Sequence, residues 1–123
     1  MILVDTSVWI DHLRRGDRGL VQLLDGGEVM VHPFIIGELA LSNLRQRDPV
    51  LSALGELPQI QVAADSEVLY YISEWALFGR GIGYIDAHLL ASLRLMPGTQ
   101  LWTRDQRLQG VAEELGLAIT DAR

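Results

Sequence analysis

The sequence predicts an α/β fold in which a central parallel β-sheet is flanked by helices. The chain begins with an apolar run at residues 2–4 that does not alternate with polar residues, as in a strand covered on both faces. Asp5, Thr6 and Ser7 follow directly, and residues of these types begin helices. Farther along, short apolar runs alternate with segments of helical periodicity, which is the order of elements in an α/β protein.

The elements of the first half follow from apolar spacing and from the positions of glycine and proline. The first helix runs into Gly16 and the second stops at Gly26. Pro33 fits the first residue of a helix, where its missing N–H has no partner to lose. The predicted elements are helices at residues 8–15, 20–24, 33–44 and from 48 onward, and strands at residues 2–4, 28–31 and 59–62.

The second half contains further helices and two more short strands. Asp65 and Ser66 are typical helix caps, and apolar residues recur behind them at helical spacing. Gly79, Gly81 and Gly83 form a flexible hinge before the next helix. The predicted elements are helices at residues 65–77, 84–95 and 108–115, and strands at residues 101–102 and 117–119.

Composition predicts a single domain over residues 1–123 that acts in the cytoplasm and not in a membrane. No apolar run approaches the roughly 20 residues that span a bilayer, and no secretion signal precedes the first strand. The chain has no cysteine and all its basic residues are arginine, which excludes disulfides, thiolate sites and lysine chemistry. The formal net charge of −6 argues against broad nucleic-acid binding, unless cations neutralise a concentrated acidic site.

Four acidic residues stand out from the predicted elements, and three of them lie at or near helix starts. Asp5, Asp86 and Asp105 can each cap a helix, which is the ordinary role of an acid at such a position. Asp105, however, also follows a predicted strand, as Asp5 does. The carboxyl ends of parallel strands are where ligands and chemistry collect in open α/β sheets, so these acids are expected at one edge.

Glu38 is the fourth acid, and capping cannot explain it because it lies in the middle of an apolar helix. Its helical neighbours include Ile35 and Leu41, so we expect its carboxylate to be buried. A buried glutamate is unfavourable unless it is paired or bound to a cation. The alternatives are an arginine partner or an exposed stripe that Glu38 shares with Ser42.

Four short segments together form a signature through their order, separation and placement on the predicted elements. They are Val4-Asp5-Thr6-Ser7-Val8-Trp9 at a strand end, Gly37-Glu38-Leu39 in a helix, Tyr84-Ile85-Asp86-Ala87 at a helix start, and Trp102-Thr103-Arg104-Asp105 after a strand. With these segments the chain resembles the PIN-domain ribonucleases, and most closely the VapC toxins of bacterial toxin–antitoxin pairs. The resemblance extends over nearly the whole chain.

The resemblance implies RNA cleavage that depends on Mg²⁺ or Mn²⁺ held at the carboxyl ends of the strands. Carboxylate oxygens suit these hard cations, and a bound metal lowers the pKa of water and screens a phosphodiester, so no protein nucleophile is needed. Without metal the acids repel one another, which predicts raised carboxylate pKa values. The implied catalytic and metal-binding acids are Asp5, Glu38, Asp86 and Asp105, with Thr6, Ser7 and Thr103 as supporting hydroxyls.

The resemblance also implies three partners: an RNA substrate, a cognate antitoxin and a second copy in a homodimer. An arginine in the antitoxin tail is expected to pair with the acids. Arg104 and Arg107 flank Asp105, either as ordinary surface charge or as contacts to RNA phosphates. The aromatic residues in the 70–78 segment are expected to be mostly core, with some of them forming a self-association face.

Two other classes of function stay open from the sequence. One is a catalytically silent interaction module with the same fold, which only a metal-dependent activity assay separates from the enzyme. The other is a phosphoacceptor receiver domain, which also gathers acids at the ends of parallel strands. The absence of lysine and of an adjacent acidic pair argues against the receiver domain.

Overall fold

A computed structural model describes residues 1–119 of the chain, and its centre is a small parallel sheet. The strands are β1 (Ile2–Val4), β2 (Val29–Met30) and β3 (Gln100–Trp102). Strand β1 lies in the middle, and both neighbours pair with it in parallel. Leu3 is aligned with Met30 on one side and with Leu101 on the other. The predicted α/β fold with a central parallel sheet is therefore confirmed.

Seven helices surround this sheet in the described part of the chain. They are α1 (Thr6–Arg15), α2 (Arg18–Asp25), α3 (Pro33–Leu41), α4 (Arg47–Glu56), α5 (Asp65–Glu74), α6 (Tyr84–Arg94) and α7 (Gln106–Glu114). Pro33 begins α3, and Gly16 ends α1 with a φ of 76°, as the sequence predicts. Within residues 1–119 no helix combines the length and apolarity that crossing a membrane requires.

The core lies between the sheet and the helices that cover it. Leu3 and Val4 on the central strand are completely buried, as expected for a strand with both faces covered. Helix α6 is the most enclosed helix, because every residue at positions 87–93 is buried. It also contacts α5 and β3. This packing fixes the helix that carries Asp86 against the sheet.

Two helices are shorter than the sequence predicts. Helix α3 ends at Leu41 and not near residue 44, because the Ser42 hydroxyl donates to the Leu39 carbonyl at 2.6 Å in place of a further helical turn. Helix α5 ends at Glu74 and not at residue 77, and Ala76 follows in a left-handed turn with a φ of 50°. Local turns end both helices, and the spacing of apolar residues does not predict such turns.

The two segments predicted as outer strands are single β-bridges. Gln59 pairs with Val31, and Ala118 pairs with Leu101, each at one position only. Ile60 is buried, but Val62 two residues later is 40% exposed, so the first segment leaves the sheet after one pair. The predicted strands at residues 59–62 and 117–119 therefore shrink to one residue pair each.

The aromatic residues at 70–78 are less buried than expected. Tyr70 is 60% exposed and Phe78 is 70% exposed, whereas Tyr71 and Trp75 are half-buried and stack with ring centroids 4.2 Å apart. Leu69 beside them is 58% exposed. The prediction that these aromatics are mostly core is wrong for Tyr70 and Phe78, because that side of α5 has no helix packed over it in the described residues.

Candidate active site

The carboxyl ends of β1 and β3 bring two of the predicted acids to the same edge of the sheet. Asp5 directly follows β1, and its backbone N–H donates to the Trp102 carbonyl at the end of β3, at 2.9 Å. Asp105 lies three residues beyond Trp102, at the N-cap of α7. The parallel pairing of these strands therefore brings the two acids to one edge, as expected from the sequence.

Asp5 is buried and held by two hydroxyls. Thr103 Oγ1 donates to Asp5 Oδ2 at 2.7 Å, and Ser7 Oγ donates to the same oxygen at 2.9 Å. The side chain of Asp5 does not cap α1, although Asp5 occupies the N-cap position. The capping alternative is therefore wrong for Asp5, whose carboxylate is oriented by the predicted supporting hydroxyls Ser7 and Thr103.

Asp105 is exposed and does cap its helix. Its Oδ1 accepts the backbone N–H groups of Arg107 at 2.9 Å and Leu108 at 3.0 Å. Its own backbone N–H donates to Thr103 Oγ1 at 3.1 Å. The Thr103 hydroxyl thus connects the backbone of Asp105 to the carboxylate of Asp5, so one side chain fixes the two acids relative to each other.

Glu38 is half-buried, and its partner is a hydroxyl. Thr6 Oγ1 donates to Glu38 Oε1 at 2.6 Å, which joins α1 to α3. The expected full burial of Glu38 is wrong, because α3 leaves the side of the helix that carries Glu38 partly open while Ile35 and Leu39 face the core. No arginine within residues 1–119 pairs with Glu38, so the arginine alternative finds no support there, whereas the expected support from Thr6 is present.

Asp86 is half-buried near the start of α6. Its Oδ2 accepts the backbone N–H of Gly83 at 3.2 Å. Burial raises the pKa of Asp86, the Gly83 hydrogen bond opposes this, and the charges of Asp5, Asp105 and Glu38 raise the pKa further. These charges act on Asp86 because Asp5, Asp105 and Glu38 each lie near it, and their direction agrees with the predicted repulsion for this group.

Each of the four carboxylates has one oxygen engaged and one left over. Within residues 1–119, hydrogen bonds are accepted by Asp5 Oδ2, Glu38 Oε1, Asp86 Oδ2 and Asp105 Oδ1, while the second oxygen of each accepts none. The donor set is the oxygen chemistry that Mg²⁺ and Mn²⁺ take in proteins. As the side chains stand, no three His, Asp or Glu groups of the described chain converge closely enough to hold one ion.

Two features of this region escaped the sequence reasoning. Arg104, between Thr103 and Asp105, pairs with Asp11 and Asp17. These partners are 93 and 87 positions away along the chain, so no local pattern could indicate them. His32 is buried and caps α3 by accepting the Phe34 N–H on Nδ1 at 3.0 Å. Its only sequence signal is its position before Pro33.

Comparison with known proteins agrees with the observed fold. The PIN domain family model matches residues 2–114. The chain is 50% identical over 121 residues to Ribonuclease VapC32 of Mycobacterium tuberculosis, in strains CDC 1551 / Oshkosh and ATCC 25618 / H37Rv, and the match covers 98% of this chain and 98% of each relative. The chain therefore belongs to the PIN-domain family and, within it, to the VapC group.

Proposed function

We propose that the chain is a single-domain, metal-dependent endoribonuclease that acts in the cytoplasm as the toxin of a toxin–antitoxin pair. The observation that carries the proposal is that Asp5 and Asp105 lie at one sheet edge, with Asp86 near enough to Asp5, Asp105 and Glu38 for their charges to act on it. Each of the four carboxylates also has an oxygen that accepts no hydrogen bond within residues 1–119. Membership of the PIN-domain family and the 50% identity to Ribonuclease VapC32 support it. Family membership also removes the receiver-domain alternative.

In this proposal the ligands of the metal are Asp5, Glu38, Asp86 and Asp105. When bound, Mg²⁺ or Mn²⁺ supplies a water of lowered pKa and screens the charge of the phosphodiester. Ser7 and Thr103 occupy one oxygen of Asp5 and so leave the other available. Thr6 does the same for Glu38. The hydroxyls therefore orient the carboxylates without adding charge to the site.

The test is RNA cleavage with and without divalent metal. Purified wild-type protein is incubated with an RNA pool after chelation, and then with Mg²⁺ or Mn²⁺ restored. We expect cleavage only when metal is present. Each cut should leave one phosphate end and one hydroxyl end, as hydrolysis of a phosphodiester does. Metal-independent cleavage that copurifies with the protein through further steps would contradict the proposal. Folded protein that binds RNA but cleaves none under either condition would support the silent interaction module.

The antitoxin is proposed to occupy a groove along α1 and the segment after α3. The groove has a volume of about 830 Å³ and includes apolar side chains of Ile10, Leu13, Leu44 and Val50. An apolar tail fits this lining, as in helix-in-groove recognition. An arginine of the same tail would pair with the carboxylates near Glu38. Affinity for the coexpressed antitoxin is expected to fall in high salt and in Glu38→Gln, whereas affinity indifferent to both would contradict the arginine contact.

A homodimer is proposed through the exposed apolar side of α5. Leu69 and Tyr70 lie on this helix, and Phe78 lies just beyond it. Exposed apolar groups of this size next to one another are typical of association surfaces. Sedimentation is expected to show a dimer for the wild type. The double variant with Leu69→Glu and Tyr70→Glu is expected to be a monomer. A wild-type monomer at micromolar concentration would contradict the proposal.

A further inference from the structure

One arginine ties the segment between β3 and α7 to the first elements of the chain. Arg104 Nη1 donates to Asp11 Oδ2 at 2.8 Å, and its Nη2 donates to Asp17 Oδ2 at 2.5 Å. Asp11 lies on α1 and Asp17 caps α2. A single guanidinium therefore joins the Thr103–Asp105 turn to two separate helices, and it is bound on both sides by carboxylates.

The surroundings keep this guanidinium in place. Asp17 is itself fixed, because its Oδ1 accepts the Leu20 N–H at 3.0 Å while Oδ2 accepts from Arg104. The guanidinium carbon lies 5.6 Å from the centre of the Trp102 ring. Burial disfavours the charge of Arg104, but the hydrogen bonds and charges of Asp17 and Asp11 outweigh it and raise the pKa of Arg104 above its ordinary value.

The backbone of the same residue is fixed at the active-site edge. The Arg104 N–H donates to Ser7 Oγ at 3.0 Å, and Ser7 in turn donates to Asp5. On either side of Arg104, Thr103 donates to Asp5 and Asp105 caps α7. Because β3 has already ended at Trp102, side-chain hydrogen bonds must determine where this turn lies.

We propose that Arg104 is a positioning residue of the active site: by binding Asp11 and Asp17, it holds Thr103 and Asp105 in register with Asp5. The effect on turnover rests on the proposed ribonuclease function, whereas the effect on the turn itself does not. This role replaces both alternatives that the sequence left open for Arg104, which were ordinary surface charge and a contact to RNA phosphates. Its guanidinium is committed to two carboxylates of its own chain and is not a contact to RNA phosphates.

The variant that tests this role is Arg104→Met. Methionine keeps an apolar stem beside Trp102 and removes the charge and the donors. We expect kcat and Mn²⁺ affinity to fall by about 10-fold to 100-fold, as for partners that orient metal ligands, with KM for RNA unchanged. Arg94→Met is the matched control, because Arg94 is exposed at the far end of α6. It should leave kcat and Mn²⁺ affinity unchanged.

The carboxylate partners provide a second, independent test. Asp11→Asn with Asp17→Asn removes both negative charges, and an asparagine at position 17 still accepts the Leu20 N–H. This double variant is expected to show the same loss of kcat as Arg104→Met, and combining the two should cause no further loss. Additive losses would overturn the proposal, because they would mean that Arg104 acts through some other contact.

The third measurement needs neither metal nor RNA. Amide hydrogen exchange in the metal-free protein follows the N–H groups at positions 104, 105, 107 and 108, which donate to the side-chain oxygens of Ser7, Thr103 and Asp105. We expect faster exchange in Arg104→Met and unchanged exchange in Arg94→Met. A wild type that cleaves no RNA would overturn the proposed function, yet this measurement would still decide the role of Arg104.

Two further results would overturn the role of Arg104 as a positioning residue. One is a folded Arg104→Met protein with wild-type exchange, kcat and Mn²⁺ affinity, which would make the ion pairs ordinary surface contacts with no effect on the site. The other is an unchanged kcat with a KM that rises and depends less steeply on salt, which would assign Arg104 to an RNA phosphate.

Discussion

The four candidate acids form two pairs that the fold holds in different ways. Asp5 and Asp105 lie beyond adjacent strands, and a network of hydroxyls and backbone N–H groups connects them. Glu38 and Asp86 lie on helices α3 and α6, and each accepts a single hydrogen bond within residues 1–119. The strand pair is therefore fixed before any ligand arrives, whereas the helix pair can adjust.

The cause of this difference lies in the elements that carry the acids. Strands β1 and β3 cannot separate without breaking backbone hydrogen bonds, including the one from Asp5 to Trp102. Glu38 reaches the site through a longer side chain, which has more rotamers to restrict. Burial raises the pKa of Asp86, and the charges of the three other carboxylates near it raise this pKa further. We infer that a cation would draw the helix pair toward the strand pair, because within residues 1–119 the acids do not converge closely enough to hold one ion as the side chains stand.

The largest effect is expected from breaking the fixed pair at Asp5. Asp5→Asn is nearly isosteric but removes a metal-binding charge, so we expect cleavage to fall by more than about 100-fold, beyond the loss typical of outer partners. Unfolding curves should stay close to those of wild type. The matched control is Asp25→Asn, at an exposed aspartate at the end of α2, which should cleave RNA normally. Normal cleavage by Asp5→Asn would exclude Asp5 from the site.

A comparison of two threonines tests whether the pairs differ in rigidity. Thr103→Val removes the hydroxyl that connects Asp5 with Asp105, whereas Thr6→Val removes only the hydrogen bond to Glu38. We expect kcat to fall by about 10-fold to 100-fold for Thr103→Val and by less for Thr6→Val, because the adjustable acid can reorient. Steady-state kinetics on one RNA measure both. Equal losses would show that the two pairs are equally fixed.

The helix pair, Glu38 and Asp86, is expected to affect the stability of the metal-free protein through the charge of Asp86. The folded pKa of Asp86 is raised, so at pH 7 its ionised form is disfavoured by the fold. We expect Asp86→Asn to raise the melting temperature of the metal-free protein, because an amide can still accept the Gly83 N–H without the charge. Mn²⁺ at about 100 times its Kd should stabilise wild type by about 2.7 kcal/mol and the variant by less. A less stable metal-free variant would contradict the repulsion.

The fixed pair is also the part of the site that the sequence could predict. A non-alternating apolar run that stops at an acid is a local pattern, and it places Asp5 at a strand end without any tertiary information. Asp105 follows β3 in the same way. The sheet order then brings both acids to one edge, because parallel strands end on the same side.

The adjustable pair depends on packing, which local patterns do not contain. Apolar neighbours led to the expectation of a buried Glu38, but α3 leaves that side partly open and α1 supplies the Thr6 hydroxyl. The same limit applies to Tyr70, whose exposure depends on which helix face lacks a neighbour. It applies most to Arg104, because its two carboxylate partners are close only in the folded chain.

The smallest expected effect concerns His32, which caps the helix that carries Glu38. Burial, followed by the charge of His88, lowers the pKa of His32 to about 4 from the usual 6.5. Between these values the unfolded chain binds a proton that the folded protein excludes, so the free energy of unfolding falls as pH decreases from 6.5 to 4. We expect a loss of about 1–2 kcal/mol at pH 5 relative to pH 7.5 from this residue.

His32→Asn isolates this contribution, because asparagine is a good N-cap and can accept the Phe34 N–H that His32 accepts now. The variant loses some buried packing and should be less stable at pH 7.5, but its stability should fall less steeply toward pH 5. Denaturant unfolding at both pH values measures the difference, and carboxylates that titrate in this range contribute equally to both proteins. Parallel pH profiles would show that His32 is protonated as readily in the fold as in the unfolded chain. In that case His32 would contribute nothing to the pH dependence of stability. The loss of stability at low pH would then come from the carboxylates alone.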